Sequence, residues 1–295
     1  MSDNRKSRFP KKDDAFIRLT AHFKLKKTTE RRPYFLVKNG KCRETKEKVI
    51  IKYWNKAEMI RANCQDIYQE EIQAMTNCQH QNICRLREVV ESSDAIFMVL
   101  EYCNQVPVKD LNIKKLPYIQ VRNDLVVRLR FFQIVLAVEY LHKQGRAHRN
   151  LNEQSIRWGE DNLDANDHIK QVKLVNFDYS VQCDNFQSPM RLSKKPAESR
   201  YLPPELRGTT ERDEYPEKTD MWGLGMILYT WYCGDRPPFI NVWIHDKDLM
   251  PYEPLDDADL PVHPLCKLLL QHDPTKRPSI EEIWKHPYFT LLHPK

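Results

Sequence analysis

The sequence predicts an α+β protein with two lobes, a small strand-rich amino-terminal lobe and a larger, mainly α-helical carboxy-terminal lobe. Three observations support this prediction. The 295 residues can bury a core of sizeable volume, as one large domain or as two lobes. Short runs of β-branched and aromatic residues prevail in the first hundred residues. After residue 104, apolar residues recur at helical spacing instead.

The amino-terminal lobe is expected over residues 15–103, behind a polar and basic tail over 1–14. The runs PYFLV and KVIIKYW flank a turn-like KNGK and indicate strands joined by hairpins. Residues 56–79 carry the intermittent apolar positions of a helix. Two more strand-like runs, CRLREVV and AIFMVLEYC, complete the lobe.

The carboxy-terminal lobe is expected over residues 104–290, before a short tail over 291–295. A strong helical pattern runs to Gly145, a residue type that commonly ends helices. The strand candidates QSIRW and KQVKLVNF then flank a polar insert, GEDNLDANDH. Helical patterns resume at 218–233, 260–271 and 278–287.

Composition narrows the class of protein. Hydrophobic residues make up 41% of the chain and aromatic residues 10%, which is typical of a globular protein. No apolar run approaches the length of a membrane span, and the first residues lack the apolar core of a signal peptide. The eight cysteines form no CxxC pair, which indicates reduced thiols. We therefore expect an intracellular protein, cytoplasmic or nuclear.

The formal net charge is +6, and much of the excess lies in the early segments RKSR, KK, KLKK and ERR. Such segments could bind nucleic acid, an acidic polymer or an anionic membrane surface. A solvated basic tail is the favoured interpretation, because no nucleic-acid-binding module accompanies the charge.

Motifs in the amino-terminal lobe resemble those of the eukaryotic protein kinase family, of the serine/threonine type. VIIK ends at Lys52, Glu71 follows nineteen residues later, and FMVLEYC contains Glu101 and Cys103. The family has a lysine in VAIK that contacts phosphates, a glutamate that pairs with it, and a hinge at the adenine site. The resemblance implies a vestigial nucleotide site at these four residues.

Motifs in the carboxy-terminal lobe extend the resemblance to about residues 15–290. AHRN resembles the start of the HRD catalytic loop, NFD stands in the DFG place, YLPPEL resembles the APE segment, and DMWGLG the start of the central helix. By this resemblance, seven residues form the structural frame of the fold: Met75, Leu86, His148, Phe177, Asp220, Glu205 and Arg277.

The catalytic positions depart from the family pattern. Asn150 stands in place of the base, and the loss of a general base typically costs about 10²- to 10⁴-fold in rate. Asn152 replaces a lysine that contacts the transferred phosphate, and Ser155 replaces an asparagine that binds a metal. Asn176 replaces the aspartate that carries the main charge for the metal. The sequence therefore predicts no catalytic residue and no metal site.

The nucleotide site also departs from the pattern. The segment over 26–37 contains no glycine, whereas a backbone cradle for phosphates needs residues without obstructing side chains. Ile50 takes the place of a small residue above the adenine, and Arg157 takes the place of an apolar residue below it. We expect these two side chains to obstruct the site, so that ATP and magnesium bind weakly or not at all and no cofactor is used.

These departures lead to the hypothesis of a pseudokinase, a non-enzyme that acts as a protein-binding scaffold or as an allosteric regulator. Its protein partner would be an active enzyme or a large assembly. Two alternatives stay open. One is an unorthodox kinase or nucleotidyl transferase with residual activity that uses Asp178 or another acid, and the other is a structural subunit of a large assembly.

Overall fold

The protein forms the two lobes that the sequence predicts. A computed structural model describes residues 13–104, 120–160, 171–183, 202–206, 215–233 and 262–290. Residues 161–168 of the polar insert and both chain ends lie outside the described residues. No helix in the described part of the chain is long and apolar enough to cross a membrane.

A five-stranded antiparallel sheet forms the amino-terminal lobe. Its strands are β1 (Phe23–Arg31), β2 (Phe35–Cys42), β3 (Lys48–Asn55), β4 (Leu86–Glu91) and β5 (Ala95–Glu101). They lie in the order β1-β2-β3-β5-β4, so that β1 and β4 are the edges. Two short antiparallel pairs belong to the other lobe: Arg146–Ala147 (β6) with Val181–Gln182 (β9), and Ile156–Trp158 (β7) with Val172–Leu174 (β8).

Eight α-helices occur among the described residues. They are α1 (Asp14–His22), α2 (Lys56–Arg61), α3 (Asp66–Thr76), α4 (Gln120–Lys143), α5 (Pro216–Cys233), α6 (His263–Leu269), α7 (Ile280–Ile283) and α8 (Pro287–Thr290). The prediction of a long helix before Gly145 is confirmed by α4. Gly145 adopts a φ of 64°, the left-handed conformation that favours glycine after a helix.

Helix α1 was not predicted, because the sequence pattern placed residues 15–22 within a run of strands. The carboxylate of Asp13 accepts a hydrogen bond from the backbone N–H of Phe16 at 3.0 Å and so caps the helix. Ala15 and Leu19, one turn apart, are buried against the outer face of the sheet. The helix therefore closes a second small core on the side of the sheet away from the cleft.

The opposite face of the sheet points towards the cleft between the lobes. Since side chains alternate along a strand, Ile50 and Trp54 of β3 belong to this face, while Val49 and Ile51 belong to the outer one. Ile50 shares one continuous core with residues of α4 and α5. This packing holds the two lobes together and positions the residues that line the cleft.

Candidate active site

A buried ion pair joins the sheet to helix α3. The ammonium of Lys52 donates hydrogen bonds to both carboxylate oxygens of Glu71 at 2.7 Å. The side chains are only 5% and 2% exposed, respectively. Burial raises the pKa of the Glu71 carboxyl, and the charge of Lys52 opposes this shift. The structure thus brings together the two residues that the resemblance pairs.

Aromatic side chains of β2 and β3 enclose Lys52. The ammonium lies 4.6 Å from the ring centre of Phe35 and 4.4 Å from that of Trp54. Tyr34 stacks on Trp54 with the ring centres 5.9 Å apart. A hydrogen bond from the Arg32 N–H to the Phe35 carbonyl oxygen at 2.9 Å closes the turn. The place of a glycine-rich loop is therefore taken by a short turn with large side chains.

The frame of the catalytic loop is built around Asp220 of α5. Its carboxylate accepts hydrogen bonds from the backbone N–H groups of His148 at 2.8 Å and Arg149 at 2.7 Å. The ring of His148 contacts Phe177 edge-on, with ring centres 4.8 Å apart. Burial lowers the pKa of His148, so the imidazole is neutral near pH 7, and its Nε2–H donates to the Val175 carbonyl oxygen at 3.0 Å.

The other residues that the resemblance assigns to the frame lie in both lobes. Met75 is buried in the same core as Phe177, and Leu86 packs against that core. Arg277 donates two hydrogen bonds to the carboxylate of Glu205, at 2.6 and 2.7 Å. Such a bidentate pair is directional, and it fixes the turn that contains Glu205 against the segment that contains Arg277.

Three of the four substituted catalytic positions lie in the catalytic loop, and these three are hydrogen-bonded to one another. The Asn152 side-chain amide donates to the Asn150 side-chain oxygen at 2.8 Å, and its own oxygen accepts from the Gln154 N–H at 2.7 Å. The Ser155 hydroxyl donates to the Asn152 carbonyl oxygen at 2.7 Å. The loop therefore keeps its shape through its own neutral side chains as well as through the Asp220 carboxylate.

Asn176 and Asp178 close the cleft from the carboxy-terminal side. Asn176 has a φ of 66°, which asparagine tolerates better than most residues, and its amide donates to the Gln154 carbonyl oxygen at 2.9 Å. Asp178 accepts a hydrogen bond from the side-chain amide of Asn150 at 3.4 Å. Burial raises the pKa of Asp178, and the charge of Lys52 opposes this shift.

The adenine side of the cleft is nearly filled. Ile50, Leu100, Cys103 and Arg157 line a cavity of only about 40 Å³. Arg157 is 8% exposed, and burial lowers the pKa of its guanidinium. Pockets for drug-sized ligands usually measure about 300–1,000 Å³, so a purine does not fit the cavity in this conformation.

Two residues behave differently from the sequence interpretation. The side chain of Glu101 lies outside this cavity, because one of its oxygens bonds the ammonium of Lys173 at 2.7 Å and the other accepts from the Arg85 N–H at 3.1 Å. Cys84, which the interpretation overlooked, lines the cavity beside Cys103. A hydrogen bond between these two thiols, together with burial, raises the pKa of Cys84.

Among the described residues, no group of three or more His, Cys, Asp or Glu side chains is placed to hold a metal ion. Magnesium is usually held by one or two carboxylates together with phosphates and water, and the carboxylates that line the cleft near Lys52 include Asp178 and Glu30.

A protein kinase domain model matches residues 34–289, which is most of the chain. The chain belongs to the protein kinase family. It is similar to a maternal embryonic leucine zipper kinase of Xenopus tropicalis, with 31% identity over 93% of this chain and 40% of the relative. An SNF-related serine/threonine-protein kinase of Rattus norvegicus is 29% identical over 92% of this chain and 35% of the relative. An Aurora kinase of Schizosaccharomyces pombe is 28% identical over 81% and 63%, respectively. The chain thus spans less than two thirds of the length of these relatives.

These comparisons contradict two predictions. The sequence interpretation expected no enzyme, and it expected ATP and magnesium to bind weakly or not at all. Relatives that match most of this chain are named kinases, although at only about 30% identity, and this points to a kinase. The interpretation judged the site by four substituted catalytic positions, by the absence of glycine over residues 26–37 and by the obstruction expected from Ile50 and Arg157. Phosphoryl transfer depends mainly on positioning and charge stabilisation, and the cleft retains the Lys52–Glu71 pair and further carboxylates.

Proposed function

We propose that this member of the protein kinase family is an ATP-dependent serine/threonine kinase whose cleft carboxylate is Asp178. The observation that carries the proposal is the position of Asp178. Its carboxylate accepts a hydrogen bond from Asn150, and the charge of Lys52 acts on its pKa. A carboxylate at this point supplies negative charge beside the positions where Asn150 and Asn176 carry none. The names of the relatives support the reaction class.

ATP would supply the phosphoryl group, and a serine or threonine hydroxyl of a protein would accept it. Lys52 is oriented by Glu71 towards the cleft and provides a fixed positive charge there. Asp178 provides the proton acceptor, since burial raises its pKa and makes its carboxylate a stronger base than a solvated one. Asp220 holds the backbone of the loop that carries Asn150.

A transfer assay with ATP labelled at the γ- or the α-phosphate tests this proposal. The full chain is incubated with a mixed protein substrate, Mg²⁺ or Mn²⁺, and ATP labelled at the γ- or the α-phosphate. We expect transfer of the γ-label, and we expect it to fall at least about 100-fold in Lys52→Ala and in Asp178→Asn, as for removal of a general base. Asp94→Asn, an exposed residue in the turn before β5, serves as the matched control.

The two labels separate the alternatives. Transfer of the α-label would identify a nucleotidyl transferase instead of a kinase. No transfer of either label by a wild-type chain that binds ATP would overturn the proposal. Retention of activity in Asp178→Asn would remove Asp178 from the reaction while leaving the reaction class in place.

A second function, protein binding as a scaffold or allosteric regulator, is favoured by the self-contained bonding of the catalytic loop. Asn152 and Ser155 satisfy each other's polar groups, so the loop can hold its shape without a bound nucleotide. Cross-linking followed by mass spectrometry would identify the partner. We expect wild type and Lys52→Ala to change the activity of that partner equally, whereas a structural subunit of a large assembly would co-elute with it and leave its activity unchanged.

A further inference from the structure

The side chain of Glu30 points into the nucleotide cleft from strand β1. Glu30 pairs with Val37 of β2, and Val37 belongs to the core on the cleft side of the sheet. Because paired residues on neighbouring strands share a face, Glu30 lies on that side as well. The register of β1 shifts between Leu25 and Thr28 and again between Thr28 and Glu30. Such bulges commonly redirect a side chain towards an active site.

Positive charges surround the Glu30 carboxylate. The Arg32 guanidinium donates to it at 2.7 Å from the same hairpin. Arg157, from the opposite lobe, is buried, and the charge of Glu30 opposes the lowering of its pKa by burial. Lys52 lines the same cavity. An anion from one lobe therefore lies among cations that come from both.

Glu30 lies between the two cavities of the cleft and lines both of them. It lines the cavity of about 40 Å³ on the adenine side and the neighbouring cavity of about 50 Å³ that contains Asn150 and Asp178. Its side chain is 29% exposed, so it occupies the boundary between these cavities and solvent. A carboxylate here excludes a second anion by repulsion as well as by volume.

We propose that Glu30 takes the place of a nucleotide phosphate and holds the cleft closed, so that a nucleotide must displace it together with the β1–β2 hairpin. This inference rests on the proposed function, in which the cleft accepts ATP. It accounts for the mismatch between the small cavity and a nucleotide-sized ligand. Closure of this kind lowers the apparent affinity for the nucleotide in proportion to the fraction of molecules whose cleft is open. Any partner that draws the hairpin outward would therefore activate the site.

Nucleotide titration of charge variants tests the inference. Glu30→Gln keeps the shape of the side chain and removes its charge, and Glu30→Ala removes both. Glu88→Gln, an exposed glutamate on β4, is the matched control. The probes are ADP and inorganic tripolyphosphate, each with and without Mg²⁺, in calorimetric titrations of the full chain. We expect both Glu30 variants to bind ADP about 5- to 150-fold more tightly than wild type, the usual range of a coupling free energy.

Amide hydrogen exchange provides a readout that does not depend on nucleotide binding. If Glu30 ties the hairpin to the other lobe, exchange over residues 26–37 in the free protein should be several-fold faster in Glu30→Gln than in Glu88→Gln. The circular dichroism melting curve of each variant shows that it is folded.

The outcomes distinguish the two proposals. Tighter ADP binding together with faster exchange supports the closing role of Glu30. Equal affinity of wild type and both Glu30 variants for ADP overturns it and leaves the kinase proposal intact. Faster exchange without ADP binding in any variant retains the closing contact but removes ATP as the ligand. Unchanged exchange and no binding would overturn both.

Discussion

The two sides of the cleft are built in different ways. On the amino-terminal side, charged and aromatic side chains enclose Lys52, and Glu71 neutralises it. On the carboxy-terminal side, backbone N–H groups bond to Asp220, and the amides of Asn150 and Asn152 bond to each other. The first side depends on a buried ion pair, whereas the second depends on hydrogen bonds, some within the loop and some to the buried Asp220 carboxylate.

The two sides also differ from the family pattern in different ways. The hydrogen bonds of Asp220 hold the backbone of the catalytic loop, so the amides there change the chemical groups of the loop but not its backbone frame. The hairpin opposite them differs in shape as well, since large side chains occupy the place of glycines. Changes to the hairpin should therefore alter ligand access, and changes to the frame should alter stability.

Asp220→Ala should have the largest effect on stability. It leaves the buried N–H groups of His148 and Arg149 without their acceptor and also removes a partner of His142. Each orphaned buried group costs about 1–3 kcal/mol, so the free energy of unfolding should fall by about 3–6 kcal/mol.

Urea denaturation monitored by tryptophan fluorescence measures this loss. Asp94→Ala, at an exposed site, should change the free energy of unfolding by less than about 0.5 kcal/mol. Asp220→Asn keeps one acceptor oxygen and should lie between Asp220→Ala and wild type. A loss below 1 kcal/mol for Asp220→Ala would show that the frame does not hold the loop.

Lys52→Met tests whether the amino-terminal side of the cleft depends on its buried ion pair. It leaves the carboxylate of Glu71 buried without its cation, and removal of one partner of a buried pair typically costs about 3–5 kcal/mol. The double variant Lys52→Met with Glu71→Leu should regain much of this loss, because no charge then remains buried. The same denaturation experiment completes the double-mutant cycle. Full additivity of the two single effects would mean that the pair is not coupled.

Much of this cleft was predictable because its signals are local in sequence. The VIIK lysine and the following glutamate come together, and so do the residues around His148 and Asp220, since each sits in a motif of fixed spacing. The face on which Glu30 lies was not predictable. The run KKTTERR is polar throughout, so no alternation reveals its faces, and a register shift decides them. The enzyme class was predicted wrongly because side-chain identities at the catalytic positions and around the nucleotide site do not determine what a whole site can do.

A pH titration should reveal the buried histidine of the frame. Burial lowers the pKa of His148 in the folded protein below its ordinary value of 6.5, so the unfolded chain binds the proton more tightly. The stabilisation is therefore complete above pH 6.5 and is lost as the pH falls through that value towards the folded pKa. The slope per titrating group approaches about 1.4 kcal/mol per pH unit.

Urea unfolding at pH 8.0, 6.5 and 5.5 tests this slope. His80 and His286 also have lowered pKa values because of burial, whereas the raised pKa values of Glu71 and Asp178 contribute a slope of opposite sign. Some slope should therefore remain without His148, and the difference between variant and wild type isolates its contribution. His148→Gln should flatten the curve, whereas His22→Gln, at an exposed site, should not. An identical slope in His148→Gln and wild type would contradict the prediction.

The smallest expected effect concerns the amide network and tests whether the carboxy-terminal side depends on local bonds. Asn152 caps the turn Glu153–Ser155 by accepting from the Gln154 N–H, and loss of such a cap typically costs about 1 kcal/mol. Asn152→Ala should therefore lower the free energy of unfolding by about 1 kcal/mol, and Asn152→Ser, which can still cap, by less. Since Lys52 and Asn152 lie on opposite sides of the cleft and are not hydrogen-bonded to each other, the effects of Lys52→Met and Asn152→Ala should add within about 0.5 kcal/mol. A larger interaction energy in that double variant would show that the two sides act as one network, and the distinction between paired charges and local amides would then fail.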